Sequence, residues 1–239
     1  MIKHTLTIVF SFAACTALWA QGQSDDPHGP PDEIEARPPL HIRPFISASP
    51  SGYTVSQVRH AYGFDRLTGN GAGQIIAIVD AFGSPTIQSD LNKFCATYNL
   101  PATSVAIYYP QGKVRTTNSG WALETSLDVE WAHAVAPGAT IALVVAKSAR
   151  LGDLLSAVDY AASLGAKQIS MSWGSSEFSS EASYDSHFNK AGSTFIASSG
   201  DNGAGVSWPA ASPYVVSVGG TALLLDGSGN VSSETAWSG

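Results

Sequence analysis

The feature that most constrains this chain is a series of short apolar runs set at helix-length intervals. Residues 74–79 and 141–146 are almost continuously apolar, and 168–173, 194–198 and 214–218 repeat the pattern at similar length. Runs of this kind read as parallel strands buried on both faces. Between them, 86–98, 121–136, 151–164 and 181–191 carry helical spacing, and Pro137-Gly138, Gly165 and Gly192 close three of these segments. A short helix is expected over 54–62 with Thr54 as its N-cap, and a short strand over 105–109. Residues 221–225 and 231–236 flank Asp226-Gly227-Ser228-Gly229 and read as a hairpin. Strands alternating with helices imply an α/β fold, a mainly parallel sheet covered on both faces in three layers. In such sheets ligands gather beyond the carboxyl ends of the strands. Asp80, Trp173 and Asp201 all fall at such ends.

The helix over 121–136 holds the most suggestive chemistry. Leu123, Leu127, Trp131 and Val135 form an apolar stripe expected to face the core, and Glu124 and Asp128 share one face at its edge. Like charges at that spacing destabilise an isolated helix. Partial burial would raise both carboxyl pKa values and make the pair titrate as a unit. Two readings stand at this point: solvated carboxylates on a helix edge, or a general base with its orienting acid. Glu130 and His133 point about 160° and about 140° away from Asp128 on an ideal helix. His133 therefore reads as a surface or core-edge residue rather than a triad histidine.

Strand ends supply the other candidates. Asp201 sits in Ser198-Ser199-Gly200-Asp201-Asn202-Gly203, a tight turn that could aim a donor into a cleft or simply let the aspartate cap its own backbone. In its acid form the carboxyl could donate to an oxyanion. Ser172, Trp173 and Gly174 end another strand, where backbone could pair with an extended peptide, with Trp173 as either core or cleft wall. Asp80 could act as a catalytic acid or metal ligand, or cap the next turn. No histidine pair has metal-ligand spacing, and neither a P-loop nor a dinucleotide fingerprint follows the first strand.

Composition narrows the partners. Only 13% of residues are charged and the net charge is -7, against about a quarter charged in a typical chain. This argues against a phosphate-binding surface, so no nucleic-acid partner is expected. Few carboxylates on the surface also suit acid conditions. Residues 1–20 begin with Lys3 and His4 and continue into an apolar stretch too short for a membrane span, which reads as an export signal. Cys15 leaves lipidation open as a second route. Residues 21–52, rich in Pro, Asp, Glu and Ser, read as a disordered linker or short pro-segment. If the leader is removed, Cys95 is the one remaining cysteine and reads as a small buried hydrophobe. The expectation is a secreted monomer, extracellular or periplasmic, with no membrane partner.

Four segments taken together carry a resemblance. They are Glu124-Thr-Ser-Leu-Asp128 running on to Pro137-Gly138-Ala139, Ser170-Met171-Ser172-Trp173-Gly174, Ala197-Ser198-Ser199-Gly200-Asp201-Asn202-Gly203, and Trp208-Pro209 through Gly219-Gly220-Thr221. In order and spacing they resemble the sedolisins, the serine-carboxyl peptidases, over residues 53–239. The resemblance implies a subtilisin-like fold and endopeptidase activity on proteins or peptides at acid pH. It implies that Glu124 is the general base, that Asp128 assists it, that Asp201 serves the oxyanion, and that Ser172, Trp173 and Gly174 border the substrate cleft. Asp80 resembles the subtilisin strand-end aspartate by position, and the family does not use it as the relay acid.

The family's nucleophile lies in a Gly-Thr-Ser-Ala-x-Pro type motif near the end of its domain. Here Gly220-Thr221-Ala222 matches an earlier strand, so the serine is expected outside this chain, and the domain is expected to be incomplete at its C-terminus. The family's calcium site is expected in that missing part. No residue of this chain is named as a metal ligand or cofactor contact. Residues 21–52 are too short for the large folded propeptide of many family members. The alternative is a truncated, non-catalytic member of the same fold that binds peptides. A histidine-dependent subtilisin is disfavoured, because no His-Gly-Thr motif occurs.

Overall fold

Alternation along one strand shows how the sheet is covered. In the strand Thr140–Ala146, Ile141, Leu143 and Val145 belong to one buried cluster, whereas Ala142, Val144 and Ala146 belong to another. Side chains on a strand point alternately to opposite faces, so both faces of this strand are core. That explains the continuous apolar run. The computed structural model describes residues 34–39 and 52–238. The expected export signal and most of 21–52 lie outside the described residues.

In chain order the strands are β1 (Ile75–Ala81), β2 (Ala106–Tyr108), β3 (Thr140–Ala146), β4 (Gln168–Met171), β5 (Thr194–Ser198), β6 (Val215–Val218), β7 (Thr221–Leu225) and β8 (Val231–Ala236). The first six form one sheet in the order β2-β3-β1-β4-β5-β6. Every pairing in it is parallel. β7 and β8 form a separate antiparallel hairpin. The helices are α1 (Val55–Ala61), α2 (Ile87–Tyr98), α3 (Ser119–Val135) and α4 (Leu151–Ser163). α2 and α3 contribute Ile87, Leu91, Cys95 and Val129 to the cluster on one face of the sheet, and α4 contributes Leu151, Leu154, Leu155 and Val158 to the other. This is the expected three-layer, mainly parallel, subtilisin-like α/β fold.

Local chemistry accounts for most of the boundaries. Thr54 caps α1 through a reciprocal capping box with Gln57. α3 begins two residues before the expected start, because Asn118 Oδ1 accepts the Trp121 N–H at 3.1 Å. The helix expected over 181–191 is instead a 3₁₀ segment, Glu181–His187. There Ser183 Oγ donates to Ser180 O and Phe188 N–H to Asp185 O, bonds that favour the tighter turn.

Three further expectations are corrected. Leu127, assigned to a core-facing stripe, is 39% exposed, and the face of α3 that is buried carries Trp121, Glu124, Thr125, Val129 and His133. His133 is not a surface residue: it is fully buried, and its Nε2 donates to Pro101 O at 2.8 Å. Within the stretch expected to be a disordered linker, 34–39 is extended and held by backbone hydrogen bonds to Ala149, Leu151 and Gly174.

Candidate active site

Strand parity brings the site together. On β1, Ala77, Val79 and Ala81 face the α4 side, so Ile78 and Asp80 face α3. On β4, Ile169 and Met171 join the α4-side cluster, as does Trp173 just beyond the strand. Ser170 and Ser172 therefore face α3. Ile78 pairs with Ser170, so Asp80 and Ser172 stand one alternation further on, both beneath α3. The carboxylates of α3 meet them there. Ser172 Oγ donates to Asp128 Oδ1 at 2.9 Å.

The result is a cluster of acidic groups in a low-dielectric setting. Glu124 and Asp80 are buried, with 2% and 0% of their surface exposed. Both Asp80 oxygens, Glu124 Oε2, Asp128 Oδ2 and Thr125 Oγ1 are sealed from solvent and make no hydrogen bond of ordinary length among the described residues, although the Thr125 hydroxyl lies near enough to Asp80 to act on it. A buried carboxylate without donors strongly disfavours its charge. Burial, then the charges of Asp128 and Asp201, push the Glu124 pKa up to about 8, against a weaker pull from Ser172. Burial also lifts Asp128 to about 7, again opposed by the Ser172 hydroxyl. Asp80 is held well above the usual carboxylate range by burial and by the charges of Asp128 and Glu124, against a weaker pull from the Thr125 hydroxyl. These groups share protons rather than titrate one by one.

Each residue predicted from the sequence can now be placed. Glu124, Asp128 and Ser172 converge, and Asp201, in the turn after β5, lies close enough for its charge to act on Glu124. Gly200 (φ 110°) and Gly203 (φ 78°) give that turn its left-handed bends. Trp173 does not line a cleft. It is fully buried, and its indole Nε1 donates to Val79 O at 2.8 Å, tying the end of β4 to β1 beside Asp80. Gly174 offers both its N–H and its carbonyl to an added strand. A Cβ there would lie 2.9 Å from Ser207 Cβ and 3.1 Å from the Trp208 carbonyl, so only glycine fits without a shift. Asp80 was set aside on family grounds, yet it sits inside the cluster, and the even-odd pattern of β1 was the signal that could have placed it. Glu130, also on α3, is raised to about 7 by burial and by Asp90, on the side of α2 rather than in this cluster.

A model of the subtilase family matches residues 114–236, more than half of the 239-residue chain. The chain belongs to the subtilase family. Kumamolisin from Bacillus sp. (strain MN-32) is 32% identical over 213 residues, covering 80% of this chain and 38% of kumamolisin. Sedolisin from Pseudomonas sp. (strain 101) is 43% identical over 60 residues, covering 19% of this chain and 10% of that protein. Among solved structures, Pseudomonas sedolisin, a serine-carboxyl proteinase complexed with two molecules of pseudo-iodotyrostatin, superposes with a TM-score of 0.67 at 27% identity. That match covers 80% of this chain and 59% of the other. This subtilase is thus a sedolisin-type, subtilisin-like domain, and it spans less than two thirds of the relatives it matches.

Among the described residues no group of three or more His, Cys, Asp or Glu could hold a metal ion. No helix among them is long and apolar enough to cross a membrane.

Proposed function

We propose that this chain is part of a secreted serine-carboxyl endopeptidase that cuts proteins or peptides at acid pH. Its nucleophilic serine, and any calcium site, would be supplied by polypeptide outside these 239 residues. The observation that carries the reading is the sealed carboxylate cluster of Glu124, Asp128 and Asp80, set beside Ser172 and within reach of Asp201's charge.

In this reading Glu124 takes the proton of the attacking serine hydroxyl and later passes it to the leaving amine. A hydroxyl donating to Glu124 favours its charged form, which offsets the burial that otherwise keeps it protonated. Asp128, one helical turn on, shares the proton and is steadied by Ser172. Asp201, in its acid form, donates to the oxygen that becomes negative in the tetrahedral intermediate. The backbone of Gly174 holds the substrate as an added strand.

The test is cleavage of an unfolded protein, in acid and in neutral buffer, by the longest natural protein containing this chain. Acid cleavage should be lost in Glu124→Gln and in Asp201→Ala. Full turnover by the Glu124→Gln protein would overturn the role of Glu124. A longer protein with an intact serine that never cleaves would favour a peptide-binding role instead.

A further inference from the structure

Four cations gather on two loops that follow neighbouring strands. Lys113 and Arg115 lie between β2 and α3, and Lys147 and Arg150 lie between β3 and α4. β2 and β3 pair in parallel, with Tyr108 opposite Val144, so both loops leave the same end of the sheet. Gln111 ties them together. Its Oε1 accepts the Lys147 N–H at 3.1 Å, and its Nε2 donates to Asp153 O and to Asp153 Oδ1, each at 3.0 Å. Only β1 separates β3 from β4 in the sheet. The rim that carries the cations therefore stands about 10 Å from the end of β4, where Ser172 and Gly174 lie.

Packing turns these cations outward. Val114 packs on the core between Lys113 and Arg115, and Ala149 is buried beside Arg150, while all four charged residues are exposed. Ser148 Oγ accepts the Arg150 N–H at 3.3 Å and donates to Asp153 Oδ2 at 2.6 Å, which fixes the second loop. None of the four makes an ion pair among the described residues. Residues 109–118 and 147–150 contain no Asp or Glu, although the net charge of the chain is -7. Asp153, the carboxylate nearest in sequence, is taken up by Gln111 and Ser148. The one residue that faces Arg150 across an antiparallel bridge, Glu35, is itself acidic. The loops that carry these charges are already ordered, so an arriving carboxylate has only side chains to order.

We infer that this basic rim selects peptides that carry several Asp or Glu residues beside the segment held at Gly174. That such peptides are substrates rests on the peptidase reading above, whereas binding at the rim is measured without any cleavage. Exposed ion pairs are individually weak. Selectivity here comes from several acting together and from steering of the peptide by the local field. A chain of net charge -7 repels an acidic peptide as a whole, so a preference for one has to arise from a local patch.

The probe is a fluorescein-labelled Ala-Glu-Ala-Glu-Ala-Glu peptide in low salt near neutral pH, compared with the same peptide carrying Gln for Glu. Asp25, Asp26, Asp32 and Glu33 precede Glu35 in the chain. The 239-residue protein is therefore used with Asp25→Asn, Asp26→Asn, Asp32→Asn and Glu33→Gln, so that its own acids do not compete. The Glu probe is expected to bind about tenfold more tightly than the Gln probe, and added salt should shrink the difference. Lys147→Glu with Arg150→Glu should abolish the preference. Lys167→Glu with Lys190→Glu, an equal change of charge placed before β4 and β5, should leave it. If the first pair fails to fold, Lys113→Gln with Arg115→Gln should cut the preference by about threefold. Equal binding of the two probes would overturn the inference. So would a preference that survives loss of the rim cations, or one that falls as far in the control pair. A rim that binds acidic peptide in a longer protein that cleaves nothing would sink the peptidase reading alone. Cleavage by a protein that binds both probes equally would sink the rim alone.

Discussion

Replacing Glu124 with glutamine probes the carboxylate cluster through stability alone. Glu124 normally titrates near 4.5 and is pushed to about 8 in the fold. In the unfolded chain it ionises as pH rises through its ordinary value, whereas in the folded chain it keeps its proton until about 8. Across that window the folded state binds more protons than the unfolded state, so stability falls as pH rises. At about 1.4 kcal/mol per pH unit the whole window corresponds to at most about 5 kcal/mol. Relaxation and water entry reduce what an actual protein displays, so a fall of about 2–4 kcal/mol attributable to Glu124 is expected. Glutamine keeps the shape of the protonated acid and cannot ionise. Glu124→Gln should therefore match the parent chain within about 1 kcal/mol in acid and exceed it by about 2–4 kcal/mol above the folded pKa. Urea unfolding followed by tryptophan fluorescence, at steps of pH, measures this directly. Parallel stability curves for the two proteins would refute the reasoning, because they would mean that Glu124 ionises as readily folded as unfolded.

Two smaller changes probe the supports of the cluster. Trp173→Phe keeps most of the buried volume but strips the donor to Val79 O, which should cost about 1–3 kcal/mol in urea unfolding; no loss would mean that the indole bond is not part of what joins β4 to β1. Ser172→Ala removes the hydroxyl that donates to Asp128, so Asp128 should hold its proton to higher pH. Infrared absorption of the protonated carboxyl group, followed against pH, should persist further into the alkaline range than in the parent chain, and an unmoved titration would count against the bond.

The strands were legible because burial on both faces leaves a signature that needs no tertiary knowledge. β1 and β3 are almost wholly apolar and fell within a residue or two of their expected ends. The helix that carries the candidate base was legible as a helix but not in its orientation. Reading Leu123, Leu127 and Trp131 as the inward stripe assumes that apolar residues face the core. On α3 that assumption inverts, for Leu127 is half-exposed while Glu124, Thr125 and His133 are buried. Periodicity fails where polar groups are driven inward for a reason other than packing. The ordered stretch at 34–39 was invisible on other grounds. Its attachment is made by backbone atoms and one methyl group, which leave almost no trace in the side-chain pattern.

The inverted face of α3 is itself an argument about function. Burying three carboxylates around one point, with five of their own and Thr125's oxygens making no hydrogen bond of ordinary length among the described residues, is a net cost to the fold. Apolar replacements of similar shape would be expected to strengthen the fold. Nor is the cluster forced by the rest of the structure, since Ile78 and Val129 fill neighbouring positions on the same surfaces with ordinary core packing. What the arrangement does achieve is a set of acids that exchange protons with one another and resist losing them to water. Its energetic penalty vanishes as pH falls and the groups take up protons. The condition that relieves the strain on the fold is therefore acid, the same condition in which an aspartate in its acid form could serve an oxyanion, while Glu124 would become a base only where a serine hydroxyl donates to it and favours its charged form.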